Sequence, residues 1–309
     1  MTSKRISAGY AALLFFLSIP AARVFGLEAG GGRQRLDALR SGIKEKGARW
    51  TAGETSLSGL SFEELRLKAG LFEQLNAAPL LEKPMADLPA AADWRSFNGN
   101  YVGTVKEQGK CNSCWAFALT GGLESHLMIT RGKPGENLDL AEQILVSCSG
   151  FGSCRGGSLY ANYLRRTGLP PERFYPYTAA DGPCEAAQPG WQQDAYRAEE
   201  WDSVPNKLYD LKSALVRYGP LPAAMIMYED LAHYKAGVYS YVSGKKVGDH
   251  AVLIIGYDDP GGYFIARNSW GTNWGENGFF RIAYSEMGSV VSFAYDSVVF
   301  RSGAAAGPR

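Results

Sequence analysis

Five cysteines constrain this chain more than any other feature of its sequence. They are Cys111, Cys114, Cys148, Cys154 and Cys184. In an exported protein cysteines usually pair as disulfides, so an odd number leaves one thiol over. If the chain leaves the cytosol, its cysteines therefore indicate two cross-links and one free thiol.

The N-terminus predicts export. Residues 1–26 have the outline of a signal peptide, because Lys4 and Arg5 precede a short apolar run at 11–19 and small residues come after it. A single N-terminal membrane anchor is the alternative. No later segment reaches the roughly 18 apolar residues of a membrane span. We expect a secreted, periplasmic or lysosome-like protein whose mature form has no membrane segment.

Charge and composition narrow the class of protein. The 309 residues are 46% hydrophobic and 20% charged, which is typical of a globular protein with one large or two small cores. The net charge is only +1, and no stretch dense in Lys and Arg occurs after the first few residues. The sequence therefore gives no indication of a nucleic-acid partner.

Residues 27–88 differ from the C-terminal two thirds of the chain, since they contain no Cys and no His. The stretch SFEELRLKAGLFEQL predicts a helix with an apolar stripe that includes Leu65, Leu71 and Leu75. Ser61 and Glu64 form a capping box at its start. The Ala- and Pro-rich stretch AAPLLEKPMADLPAAADW then reads as an exposed connector and a processing site.

From Asp93 onward, helical patterns come first and strand patterns second. Ser113 is placed to cap a helix with the sequence CWAFALTGGLESHLMIT, and DLAEQILVSC predicts another helix. The runs HAVLIIGY, YFIARNSW and FFRIAY predict strands. This order indicates an α+β fold with two lobes. Residues 301–309, RSGAAAGPR, are expected to be a disordered tail.

The stretch QGKCNSCWAF has three possible interpretations. A thioredoxin-like redox pair requires a preceding strand and crossover, which are not evident. A zinc site requires further ligands at suitable spacing. The chain has only three histidines and no second Cys-x-x-Cys motif, so it does not supply them. In the third interpretation, Cys114 is the free thiol at a helix N-terminus, where the helix dipole favours thiolate. That interpretation requires a histidine as a proton-handling partner.

Among the three histidines, His250 is the best candidate partner for Cys114. His126 would lie about 18 Å along the same helix, too far to reach the thiol. His233, in DLAHYKAGVY, is explained more simply as a packed or surface residue. His250 begins a strand joined to YFIARNSWG by the turn DDPGG.

The register of this hairpin predicts which residues accompany His250. If Tyr257 faces Tyr263, His250 opposes Trp270, and Asn268 becomes its diagonal neighbour at about 7 Å. The Asn268 amide oxygen would fix the imidazole tautomer, and Trp270 would keep water from that bond. A slip of one residue would break the arrangement.

These motifs together resemble the papain family of cathepsin-like cysteine peptidases. The resemblance covers residues 88–300 and rests on DWR, VKEQGKCNSCWAF, LVSC with SCRGG, DHAVLIIGY and ARNSWGTNWGENGFFRI, which stand in the family's order. It implies a papain-like two-lobed α+β fold, with a helical lobe, an antiparallel β-barrel-like lobe and the active site in the cleft between them. It also implies the disulfides Cys111–Cys154 and Cys148–Cys184.

The resemblance further implies a role for several residues. Cys114 would be the nucleophile, His250 the acid and base, and Asn268 its orienting partner, while Gln108 would stabilise the oxyanion together with the Cys114 backbone N–H. The residues that match substrate-binding positions are Gly156, Gly157, Leu159, Ala251 and Trp274. Leu159 and Ala251 would line an apolar second subsite, which Ala224 or Met225 and an unaligned C-terminal residue would also shape.

The resemblance implies a monomeric peptidase that is made as a zymogen. After maturation it would hydrolyse proteins or peptides without a cofactor or metal. Residues 27–88 resemble a short inhibitory propeptide, and residues 89–300 would be the peptidase domain. No His-bearing insertion comes after the glycine pair, which favours endopeptidase activity. Asn112 replaces the family's usual glycine. Asn tolerates positive φ better than most residues, so a glycine-like backbone is feasible there, and its side chain is expected to narrow the first subsite.

Two other functions remain open on the sequence. An inactive homologue that serves as a binding module is disfavoured because Cys114, His250, Asn268 and Gln108 are all present. Acyl transfer, in which an amine replaces water, would use the same acyl-enzyme and the same residues.

Overall fold

The computed structural model of the protein describes residues 31–72 and 85–302. The predicted signal peptide, much of the connector and residues 303–309 of the predicted tail lie outside these ranges. The α-helices of the described residues are Gly31–Glu45 (α1), Phe62–Arg66 (α2), Cys114–Thr130 (α3), Glu142–Cys148 (α4), Asn162–Arg166 (α5) and Leu208–Tyr218 (α6).

The strands form one large sheet and two small ones. Their bounds are Arg49–Ala52 (β1), Ala91–Asp93 (β2), Gly152–Ser153 (β3), Gly156–Gly157 (β4), Glu200–Ser203 (β5), Leu221–Tyr228 (β6), Tyr234–Tyr239 (β7), Lys246–Asp258 (β8), Tyr263–Arg267 (β9), Phe279–Ala283 (β10) and Val298–Arg301 (β11). The large sheet has the order β1-β7-β10-β9-β8-β2, and β6 also pairs with β8. The small sheets are β5 with β11 and β3 with β4.

Helices and sheet have separate cores, which meet along the cleft. Helix α3 is buried from Cys114 to Met128, as expected of a helix that is apolar on every side. It packs with α4 and α5 in one core, while β6 to β10 and α6 form the other. The predicted two-lobed α+β architecture is confirmed, and so are the helix at DLAEQILVSC and the three C-terminal strands.

The N-terminal segment is part of the sheet lobe. Its helix α1 contributes Leu36, Leu39 and Ile43 to the sheet core, and Trp50 of β1 is buried there. Strand β1 extends the sheet by pairing antiparallel with β7. Residues 31–72 therefore pack on the rest of the chain through both side chains and backbone hydrogen bonds.

The helix predicted for SFEELRLKAGLFEQL is shorter than expected. Its capping box is confirmed, because Ser61 Oγ accepts from the Glu64 backbone and Glu64 Oε2 accepts from the Ser61 backbone at 3.0 Å. Helix α2 nevertheless ends at Arg66. The prediction is wrong for Leu71, which forms a β-bridge with Gly157. Tertiary backbone pairing outweighs helix propensity at this point.

The predicted pairing near the β8–β9 turn is also wrong, because Tyr257 pairs with Phe264 and not with Tyr263. A β-bulge between Ile254 and Gly256 then shifts the register by one residue.

Beyond that bulge, the register is the one predicted from the sequence. Leu253 pairs with Arg267, so continuing the ladder brings His250 and Asn268 to the same end and face of the hairpin. The conclusion about this pair survives because the bulge compensates for the error at the turn.

Candidate active site

Cys114 is a free, fully buried cysteine at the first position of α3. Its neighbour Ser113 is the N-cap residue, but the expected side-chain cap is absent. The Ser113 hydroxyl lies 2.6 Å from the Tyr177 hydroxyl instead, and it is drawn away from the helix end. The N-terminal end of the helix dipole is therefore directed at the thiol without a capping side chain.

His250 immediately precedes Ala251, whose backbone N–H faces the Cys114 sulfur, and its ring is held by Asn268. Its Nε2 is 2.9 Å from Asn268 Oδ1, which also accepts from the Ser269 backbone N–H at 2.8 Å. An oxygen that accepts both bonds assigns the proton to Nε2 and leaves Nδ1, which has no hydrogen-bond partner, as the basic nitrogen. The backbone N–H of Ala251, the next residue, acts to lower the pKa of the Cys114 thiol, against the effect of burial.

Two tryptophans cover the imidazole. Trp270 stacks on His250 with ring centroids 4.7 Å apart and an interplanar angle of 25°. Trp274 meets Trp270 edge-on at 4.8 Å and donates from Nε1 to the Leu231 carbonyl at 3.2 Å. Both indoles are fully buried, so they shield the bond between His250 and Asn268 from water.

Gln108 is held by Ser269, a residue that the sequence motifs did not single out. Ser269 Oγ donates to Gln108 Oε1 at 2.7 Å, which turns Nε2 toward the loop that precedes Cys114. Nε2 donates to the Cys111 carbonyl at 2.8 Å and to the Leu67 carbonyl at 3.4 Å. The sequence pointed to Ser269 only through its position between the two candidate residues Asn268 and Trp270.

The N-terminal segment runs through the cleft as an extended chain. The Gly70 backbone nitrogen lies 3.4 Å from Cys114 Sγ. On the side of the glycine pair, Gly157 N donates to the Gly70 carbonyl at 2.9 Å and Phe72 N donates to the Gly157 carbonyl at 2.7 Å. On the opposite side, Leu71 N donates to the Asp249 carbonyl at 2.9 Å.

The glycine pair permits this close approach. A Cβ on Gly157 would lie 2.3 Å from the Trp115 ring. A Cβ on Gly156, whose φ is +122°, would lie 2.7 Å from Phe72. Both positions therefore require glycine, one for packing behind the cleft and the other for backbone conformation and space inside it.

An apolar pocket receives Leu71 next to the thiol. Leu71 is buried in one cluster with Cys114, Leu159 and Ala251, the residues expected at the second subsite. Ala224 belongs to the same cluster, whereas the adjacent Met225 points into the sheet core. Strand alternation thus selects Ala224 from the two alternatives left by the sequence.

Asn112 restricts the space beside the thiol without an unusual backbone. Its φ is not positive, so Asn112 does not adopt the glycine-like backbone that was feasible for it. A Cβ on Gly70 would lie 2.2 Å from Asn112 Cβ and 2.4 Å from the Asn112 carbonyl oxygen. Only a glycine at position 70 leaves room for the N-terminal segment to run past Asn112.

Burial shifts the pKa values of Cys114 and His250 so that their neutral forms are favoured. It raises the pKa of the Cys114 thiol to about 11. It lowers the pKa of the His250 imidazole to about 4, and the Asn268 bond and the Lys68 backbone oppose only part of this shift. With the N-terminal segment in the cleft, Cys114 is a neutral thiol and His250 a neutral imidazole at neutral pH, since neither charged form is hydrated.

The remaining cysteines form two disulfides that hold the loops around α3. They join Cys111 to Cys154 and Cys148 to Cys184, the pairs that the resemblance implies.

The other two histidines have packing roles. His126 is buried beside the Phe300 ring at 6.2 Å. His233 Nδ1 lies 3.0 Å from Ser58 Oγ of the N-terminal segment.

Membrane spans and metal sites are both absent from residues 31–72 and 85–302. None of the helices described there is both long and apolar enough to cross a membrane. The same residues contain no group of three or more His, Cys, Asp or Glu side chains placed to hold a metal ion.

Several known proteins are similar to this chain in sequence. Pro-cathepsin H of Mus musculus is 37% identical over 239 residues, which cover 73% of this chain and 70% of that protein. Cathepsin L2 of Homo sapiens is 32% identical over 295 residues, which cover 84% of each chain.

Solved precursor structures align over most of the chain. Procathepsin L 3 from the Tenebrio molitor larval midgut has a TM-score of 0.74 and 26% identity, covering 88% of this chain and 90% of that one. The recombinant stem bromelain precursor has a TM-score of 0.75 and 27% identity, covering 88% and 90%. The family profile described as "Papain family cysteine protease" matches residues 88–297. The chain therefore belongs to the papain family of cysteine proteases.

Proposed function

We propose that this chain is the zymogen of a cysteine endopeptidase in which Cys114 is the nucleophile and His250 the acid and base. One observation carries the proposal: His250 Nε2 is hydrogen-bonded to Asn268, which leaves Nδ1 without a partner. The residue after His250, Ala251, faces the free thiol of Cys114 with its backbone N–H. A cysteine and a histidine arranged in this way form a nucleophile and its base.

The reaction follows from these groups. Cys114 Sγ bonds to the scissile carbonyl carbon, and its proton passes to His250. His250 then gives that proton to the leaving amine as the C–N bond breaks, which leaves a thioester. Water attacks the thioester and passes a proton to His250. The C–S bond breaks, the carboxylic acid leaves and Cys114 recovers its proton.

Gln108 and the Cys114 backbone N–H would stabilise the oxyanion formed in both steps. The bond from Ser269 supports this role, because it fixes the amide with its oxygen turned away and its Nε2 hydrogens turned toward the site. In the zymogen one of these hydrogens is directed at the Leu67 carbonyl. A substrate oxyanion would take the place of that carbonyl.

The polarity of the N-terminal segment explains how it inhibits. It presents the Gly70 N–H to the sulfur, while the Gly70 carbonyl oxygen is bound by Gly157 on the wall of the cleft. The Gly70 carbonyl is thereby held on the wall of the cleft, and the atom that contacts the sulfur is a donor nitrogen. We propose residues 27–88 as the inhibitory propeptide and 89–300 as the peptidase domain, preceded by the signal peptide at 1–26.

The substrate backbone would pair with Gly156 and Gly157, as the propeptide does. The apolar walls at Leu159 and Ala251 would accept an apolar side chain at the second subsite, where Leu71 now lies. Trp274 would flank the leaving-group side. Two disulfides suit an oxidising compartment, which agrees with an exported protein.

Maturation of the chain tests this proposal. The protein comprising residues 27–309 is incubated at mildly acidic pH, and its mass is followed with time. The wild type is expected to lose its first 60 or so residues, whereas Cys114→Ala remains intact. Adding a trace of matured wild type should then cleave the Cys114→Ala chain. If Cys114→Ala matures unaided, the proposal is wrong.

A further inference from the structure

Tyr177 connects the two ends of the loop that holds the proposed oxyanion donors. Its hydroxyl donates to the backbone carbonyl of Gln108 at 2.8 Å and lies 2.6 Å from the Ser113 hydroxyl. Gln108 carries one donor on its own side chain, and Ser113 directly precedes Cys114, whose backbone N–H is the other. One side-chain oxygen therefore bridges the loop 108–113.

The hydrogens on this bridge have one consistent arrangement. A backbone carbonyl has no hydrogen to donate, so the single hydroxyl hydrogen of Tyr177 lies on its bond to Gln108. Ser113 Oγ is then the donor to the Tyr177 oxygen. The bonds run in one direction, from Ser113 through Tyr177 to Gln108, and each bond in such a chain polarises the next. Burial raises the pKa of the Tyr177 hydroxyl, which keeps its hydrogen in place.

Contacts outside the loop fix Tyr177 in this position. Its ring meets Phe117, in the first turn of α3, edge-on with centroids 4.8 Å apart. Its backbone nitrogen donates to Glu172 Oε1 at 2.6 Å. The next residue, Thr178, donates through its backbone nitrogen to Gln143 Oε1 on α4 at 3.0 Å. The two helices therefore set the position of the hydroxyl independently of the loop that it bridges.

The bond from Tyr177 completes the restraints on Gln108. The Gln108 backbone nitrogen donates to the Ser269 carbonyl at 2.9 Å, and its side-chain oxygen accepts from Ser269 Oγ. Ser269 thus ties Gln108 to the sheet lobe, while Tyr177 ties the Gln108 carbonyl to the helical lobe. The Gln108 amide is held relative to both walls of the cleft.

We propose that Tyr177 is a positioning residue of the oxyanion hole, which sets the distance between Gln108 Nε2 and the Cys114 backbone N–H without touching the substrate. The inference rests on the proposed function and adds a residue to its machinery. Oxyanion donors are effective when they are preorganised around the charge that develops in the transition state. Loss of the bridge should therefore lower kcat and leave substrate binding in the ground state unchanged.

Steady-state cleavage by the matured enzymes tests the inference. Tyr177→Phe keeps the ring and removes the bridging oxygen. On a peptide with leucine at the second subsite, we expect kcat per titrated active site to fall by about tenfold, with KM within about twofold of the wild type. Tyr175→Phe is the matched control and should keep the wild-type kcat, because the Tyr175 hydroxyl also donates to a backbone carbonyl, that of Pro183 at 2.9 Å.

Two results would overturn the inference. One is an unchanged kcat in Tyr177→Phe, and the other is an equal fall in Tyr175→Phe, which would show a general effect of this segment on stability. A double variant adds a further check. In the Gln108→Ala background Tyr177→Phe should cost less than it does alone, because one of the donors that it positions is already gone. Multiplicative losses would mean that Tyr177 does not act through Gln108.

A measurement on the zymogen is independent of turnover. In the Cys114→Ala chain, amide hydrogen exchange of residues 108–114 should be faster with Tyr177→Phe and unchanged with Tyr175→Phe. If the matured wild type cleaves no peptide, the proposed function fails, and exchange still decides whether Tyr177 holds this loop. If the wild type cleaves the peptide and Tyr177→Phe changes neither kcat nor exchange, the inference is wrong and the proposed function stands.

Discussion

The backbone nitrogen of Gly70 lies 3.4 Å from Cys114 Sγ. The N-terminal segment therefore contacts the thiol sulfur through a backbone hydrogen-bond donor. This contact requires a residue without a side chain at position 70, because a Cβ on Gly70 would lie only 2.2 Å from Asn112 Cβ. Inhibition and the narrow space beside the thiol have the same structural origin.

Gly70→Ala should weaken the zymogen. Overpacking against a tightly packed backbone typically costs about 1–3 kcal/mol. We expect a lower melting temperature in the Cys114→Ala background and faster maturation of the otherwise wild-type chain. Gly59→Ala is the matched control, because a Cβ on Gly59 would meet no atom within 4 Å. Equal effects of the two substitutions would show that the contact with Asn112 has no energetic importance.

Acid should loosen the zymogen partly through His250. Its pKa is lowered to about 4 from 6.5 in the closed cleft, so between these values the unfolded chain binds a proton that the folded chain does not. Stability contributed by this group is therefore lost as pH falls through that window.

The measurement is the free energy of unfolding of the Cys114→Ala zymogen across this pH range, with and without His250→Asn. His126 and His233 also have lowered pKa values, so they weaken the fold in acid too, whereas the raised pKa of Asp296 acts in the opposite sense. These groups are present in both proteins, and the difference between the two curves isolates His250. Parallel curves would contradict the prediction.

Ser269→Ala should impair catalysis through Gln108. Without the bond to Oε1 the amide loses its fixed orientation, so kcat/KM is expected to fall by about tenfold, while Gln108→Ala should cost about a hundredfold or more. Adding Ser269→Ala to Gln108→Ala should then change little. Independent, multiplicative losses in the double variant would mean that Ser269 does not act through Gln108.

Asn112→Gly should widen the first subsite. The ratio of kcat/KM for peptides with phenylalanine against glycine immediately before the scissile bond is expected to rise severalfold, because Asn112 Cβ now lies against the chain that passes the thiol. The second-subsite preference should not change. A constant ratio would place the restriction elsewhere in the cleft.

The sequence predicted most of the site because its chemistry depends on few residues with little freedom. The odd cysteine count and the order of helices and strands led to Cys114 and to a two-lobed fold. The pairing of His250 with Asn268 was also predicted, although the register at Tyr257 was wrong and the bulge after Ile254 compensated for it. A bulge of this kind leaves no clear pattern in a run of apolar residues.

The parts that the sequence did not predict depend on tertiary contacts. Helical spacing continued through Leu71, but that residue is held in an extended chain. Leu71 N donates to the Asp249 carbonyl, and Gly157 is hydrogen-bonded to both neighbours of Leu71, Gly70 and Phe72.

The most direct test of the mechanism is kcat/KM of the matured enzyme on a peptide with leucine at the second subsite, compared with Cys114→Ala. We expect a loss of at least about a thousandfold. The double variant Cys111→Ser with Cys154→Ser is the control for loss of cysteine chemistry in general: it should lower stability by about 2–4 kcal/mol and keep activity in the folded fraction. Cleavage by Cys114→Ala at a rate near that of the wild type would contradict the role of Cys114 as the nucleophile.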